Sequence, residues 1–123
     1  MSEFIFSANA AADLSGKQYH IMILSGENAV NQASLATVST ICGVLTNKPA
    51  SGQTAAIQFG GPGRVTAGAA ITAPAFITTD SSGRAVAVAS GGMAIGRALQ
   101  TSAATGDVID VILMPPVRWA GAI

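Results

Sequence analysis

Reactive side chains are scarce in this sequence, and their scarcity limits the chemistry it can support. The 123 residues include one histidine, His20, and one cysteine, Cys42. Nucleophilic catalysis needs a base within reach of its nucleophile. His20 lies beside Tyr19 in a predicted strand, and no Gly-x-Ser-x-Gly elbow offers it a serine. A structural or interface role for His20 is expected. A zinc site takes about four ligands, which one histidine and one cysteine do not supply. Asp107 and Asp110 are the closest acid pair, but three residues apart on a strand they point to opposite faces. Asp107 is assigned to a turn and Asp110 to solvent or a partner. Of the glycine-rich runs, "GGPG" lacks the Lys-Ser/Thr of a phosphate loop. "SGKQ" has no hydroxyl after its lysine, and "SGGMAIG" has the wrong spacing for a dinucleotide fingerprint. All three read as turns. No catalytic residue, metal, cofactor or small-molecule substrate is expected.

Composition narrows the partners. Charged residues are 10% of the chain, against roughly 25% in ordinary globular proteins. The formal net charge is zero. Lys17, Lys48, Arg64, Arg84, Arg97 and Arg118 are scattered singly, so no basic patch for nucleic acid is expected. Half the residues are hydrophobic, which argues against disorder. A sparsely charged, neutral surface favours association, so partners are expected to cover much of it. Cys42 in "TICGVL" reads as a small buried hydrophobe. Glu3 stands where a secretory signal wants positive charge, and polar residues interrupt every long uncharged window, so no membrane segment is expected.

The elements that must position these residues read as strands. "QYHIMIL" (18–24), "TAAIQF" (54–59), "AVAVA" (85–89), "MAIGRAL" (93–99) and "VIDVILM" (108–114) are β-rich. Residues 29–45 fit neither period cleanly, with strand favoured in the second half and room for a short helix in 29–38. "GGPGR" (60–64) reads as a tight turn, "DSSGR" (80–84) as a hairpin loop, and Pro115-Pro116 as the end of the last strand. About eight short strands result, in a small single-domain β-barrel or β-tulip-like sandwich, all-β. The expected limits are an extended N-terminal arm at 1–16, the barrel at 17–114 and a tail at 115–123. Phe4, Ile5 and Phe6 fall in the arm and Trp119 in the tail, where large apolar groups either fold back on the barrel or dock on a partner. With Tyr19 and His20 they are the candidate partner or subunit interface residues.

One cadence occurs twice. "GVLTNKPASGQTAAIQF" from Gly43 and "GRALQTSAATGDVIDVIL" from Gly96 each place a leucine, four intervening residues, Ala-[Ser/Thr]-Gly and an apolar run in order. Leu45 and Leu99 would end strands, and Ile57 and Val111, twelve positions later, would point inward. Two similar strand–loop–strand units account for this, as does the short menu of residues that make turns.

The run from Gly43 to Leu113 resembles the small head decoration, or capsid cement, proteins of tailed phages, lambda-like decoration proteins and related phage structural proteins. The matching pieces are Gly43 to Pro49, Gly52 to Ile57, Val65 to Ile71, Thr78 to Ala85, Ile95 to Leu99 and Ala103 to Leu113. Pro74 departs from the pattern, where many relatives have glycine. The resemblance implies a homotrimer that binds the outer surface of an expanded capsid and clamps neighbouring major capsid protein subunits, by an N-terminal arm that adds a strand to them. It implies a virion location after synthesis in the host cytoplasm. Other virion parts, such as a head fibre base or tail protein, and a ligand- or carbohydrate-binding barrel are the competing readings.

Overall fold

A computed structural model describes residues 5–34, 40–88 and 93–118 of the chain. Phe4, Trp119 and part of the 29–38 segment lie outside them. The described residues form ten strands and no α-helix: β1 (Ile5–Ala10), β2 (Ile21–Gly26), β3 (Ala29–Gln32), β4 (Ile41–Leu45), β5 (Thr54–Gln58), β6 (Gly61–Thr66), β7 (Phe76–Thr79), β8 (Ala85–Ala87), β9 (Met93–Ala98) and β10 (Val108–Arg118). The first five close into a barrel in the order β1-β3-β2-β4-β5, and the rest form a sheet in the order β6-β10-β9-β7-β8.

Two cores follow from this layering. Ala8, Ala10, Met22, Val30, Leu45, Ala55 and Ile57 fill the barrel. Ile21, Ile23, Ile41 and Val44 point the other way, onto Val65, Ile77, Ile95, Ile109 and Val111 of the second sheet. Successive strand residues face opposite sides, so β4 and the first half of β2 (Ile21–Ile23) bury both faces and carry no polar alternation. That double burial is why the β4 part of residues 29–45 shows no clean period. β10 covers the core with one face only, and Ile109, Val111 and Leu113 are buried while Val108, Asp110 and Ile112 are exposed.

Three segments differ from expectation. Ile5–Ala10, placed in an extended arm outside the barrel, is a barrel strand, paired antiparallel to β5 from Ile5↔Gln58 to Asn9↔Thr54 and parallel to β3. Ala8 and Ala10 seal the barrel interior, so small residues that looked featureless are core. The "GGPGR" turn is most of β6, an edge strand. Pro62 tolerates that place because an edge residue owes the ladder no donor, and the Gln58 side-chain amide donates to the Gly60 and Pro62 carbonyls at 2.9 and 2.6 Å. Pro115-Pro116 does not end β10. Pairing with β9 shifts register between Leu113 and Val117 and resumes at Val117↔Ala94 and Arg118↔Met93, and a proline is accommodated at such an irregularity.

The predicted hairpin at 80–84 is present. Asp80 Oδ1 accepts from the Ser82 and Arg84 amides at 2.8 and 2.9 Å, its Oδ2 lies 3.4 Å from Arg84 Nε, and Gly83 takes a positive φ of 75°.

Candidate functional site

The candidate residues fall in two separate places. Ile5 and Phe6 open β1 at one end of the barrel. Phe6 pairs in register with Ile57, packs on the barrel core and sits 5.9 Å, centroid to centroid, from the Phe59 ring. Phe59 is partly exposed, so this end presents aromatic surface.

Tyr19 and His20 lie in the turn before β2, where the barrel meets the second sheet. Tyr19 takes a left-handed φ of 66° and packs on the shared core. Its N–H donates to Leu45 O at 2.7 Å and its carbonyl accepts from Thr66 N at 2.8 Å, so its backbone ties β4 to β6. The His20 carbonyl accepts from Leu45 N, and its Nδ1 lies 3.3 Å from Gln18 O. Burial pushes the His20 pKa below its ordinary value.

Cys42 Sγ is half-buried and within 3.5 Å of Met22 O, and desolvation pushes its thiol up to about 12. It holds its proton at neutral pH and is a poor nucleophile. Asp107 accepts from the Ala103 and Ala104 amides at 3.2 Å each and braces the turn before β10. Among the described residues, no group of three His, Cys, Asp or Glu is placed to hold a metal.

A further cluster of exposed apolar side chains lies on the outer face of the second sheet. Val108 and Ile112 of β10 are 43% and 45% exposed, and Leu99, just past β9, is 51% exposed. In register, Ile112 is flanked by Pro62 of β6 and Arg97 of β9, and Arg97 in turn by Phe76 of β7. The Arg97 guanidinium stacks 4.3 Å from the Phe76 ring centroid, a contact that satisfies cation and ring together. Asp110 sits between Val108 and Ile112 opposite Arg64, 3.5 Å from its Nε, both about 60% exposed. Between the strands runs a shallow groove of about 370 Å³ lined by Pro62, Arg64, Leu99 and Asp110.

Sequence reasoning named Asp110 on this face but missed the face. The signal was present: in "VIDVIL" the outward positions carry Val, Asp and Ile, where a one-sided strand in water wants polar residues throughout.

The chain matches the phage cement protein family over residues 15–113 and belongs to that family, and so to the structural proteins of the phage capsid. Among solved structures it is similar to the N base of head fiber gp8.5 of bacteriophage phi29, with a TM-score of 0.70 and 18% identity over 89% of this chain and 92% of that one. At that identity the likeness is one of fold. No curated protein matches the chain in sequence.

Proposed function

We propose that this chain is a non-enzymatic cement protein. It binds the outer surface of the expanded phage capsid and ties neighbouring major capsid protein subunits together as a homotrimer, after synthesis in the host cytoplasm. The observation that carries this reading is the family match, which spans both the barrel and the second sheet. Capsid contact is made at the β1 end of the barrel, where Ile5, Phe6 and Phe59 offer apolar surface; Phe4 and Trp119 are further candidate contact residues. Several modest contacts per trimer add through avidity, and neither nucleic acid nor membrane takes part.

A second reading is a head fibre base, favoured by the likeness to the phi29 head fiber base across nearly the whole of both chains. The two readings differ in what the shell gains. Expanded capsids are heated with and without saturating protein, and shell disruption is followed by light scattering. A cement protein raises the disruption temperature by several degrees. Saturable binding that leaves this temperature unchanged would favour the fibre base and overturn cementing.

A further inference from the structure

We infer that the outer face of the second sheet is where copies of this chain pack against one another. The inference rests on the homotrimer reading above and assigns it a surface. The face carries Pro62, Leu99, Val108 and Ile112, four apolar side chains directed at solvent on three adjacent strand positions. Its charged groups are already partnered within the subunit: Arg64 with Asp110 at 3.5 Å, and Arg97 over the Phe76 ring at 4.3 Å. Pairing of this kind lowers the cost of taking a face out of water, because no lone charge is stranded.

The pattern also selects the occupant. Asp110 and Arg64 are register partners on neighbouring strands near the middle of the face, equal in charge and opposite in sign, and both about 60% exposed. A surface whose central charges sum to zero in this way is complementary to itself. Copies related by a three-fold rotation, each with this face toward the axis, present Asp110 of one to Arg64 of the next. The intramolecular pair then becomes a closed, alternating ring with the apolar residues around it. Cyclic homo-oligomers close head-to-tail contacts of this kind into rings about a symmetry axis. With only twelve charged residues in the chain and a formal net charge of zero, no long-range repulsion opposes such packing.

Complementarity that runs between copies has a signature that a structural role lacks. The double charge reversal R64D/D110R restores self-complementarity but reverses its sense. It is expected to assemble alone as the wild type does. Mixed with wild type, the two forms should sort into separate oligomers, since each mixed contact sets like charges together, and native mass spectrometry reads the sorting. Ile112→Lys is expected to weaken self-association at least tenfold in sedimentation equilibrium while its thermal unfolding stays near wild type, as the side chain is outside both cores. Wild-type protein that stays monomeric at tens of micromolar would overturn the inference, as would free mixing of the two charge forms. An Ile112→Lys protein that still assembles but no longer binds capsids would also overturn it, by giving the face to the capsid, and would leave the cement reading standing. Assembly through this face without any binding to capsids would do the reverse.

Discussion

The hairpins β4–β5 and β9–β10 are built alike yet put their leucines on opposite sides of the protein. Ile57 and Val111 are equivalent, both fully buried, and their register partners are Leu45 and Ala98, also fully buried. Two residues before those partners stand Gly43 and Gly96. A Cβ on either would strike the carbonyl oxygen across the ladder, of Gln58 and of Ile112 respectively. Five residues before Ile57 and Val111 stand Gly52 and Gly106, with φ of 81° and 96°. Side-chain amides match as well: Asn47 Oδ1 accepts from Ala56 N, and Gln100 Oε1 from Asp110 N, each at 3.1 Å.

The structural repeat is therefore anchored on glycine, not on leucine. Leu99 corresponds to Thr46: the Thr46 amide donates to Ala56 O, and the Leu99 amide to Asp110 O, both at 2.9 Å. One extra residue lies between Ala98 and the second turn. A one-residue displacement moves a side chain to the other face of a sheet. Leu45 consequently fills the barrel, while Leu99 stands 51% exposed on the outer face of the second sheet. The leucine of the first hairpin is part of the barrel core, and that of the second stands on the solvent-facing side of the second sheet.

The comparison breaks most plainly at the two leucines. Leu45→Ala should cost about 2–5 kcal/mol in chemical denaturation, the usual range for a buried leucine left as a cavity, whereas Leu99→Ala should stay within about 0.5 kcal/mol. Equal losses would refute the one-residue offset. The glycines sharpen the same point. Gly43→Ala and Gly96→Ala should each destabilise by about 1–3 kcal/mol through overpacking against a carbonyl. Gly43→Ala should be the worse, because its φ of 153° adds backbone strain. If either is neutral, the glycine equivalence is wrong.

The smallest effect lies at the junction between the layers. His20 has a pKa below its ordinary 6.5 because burial disfavours the imidazolium. The unfolded chain then binds the proton more readily, so stability is full above the ordinary histidine pKa and falls as pH drops below it. His20→Gln should flatten the melting temperature between pH 7 and pH 5.5 relative to wild type. A wild-type slope of the opposite sign would contradict the burial.

What the sequence made legible follows from which strands face water. β5 and β10 alternate, or nearly so, and their inward residues Ile57 and Val111 are readable from spacing. The turns at Asp80–Gly83, Gly52 and Gly106 are readable because few residues make them. β1 was not readable, since its inward residues are Ala8 and Ala10, small groups that a narrow barrel interior requires and that carry no apolar signal. β6 was hidden because its proline and glycines look like a turn until an edge position and the Gln58 amide are known. The outer face was half visible. "VIDVIL" shows apolar residues in outward positions, but which side is outward depends on the register with β6 and β9.

The central claim is that this scaffold serves to bind the expanded shell of its phage, and co-sedimentation tests it most directly. Purified protein is spun with expanded capsids and, separately, with unexpanded proheads. Saturable binding to the expanded shells alone, at a fixed number of copies per shell, is the result the account predicts. Binding to neither shell, with the protein found instead in tail or fibre fractions of the virion, would contradict it.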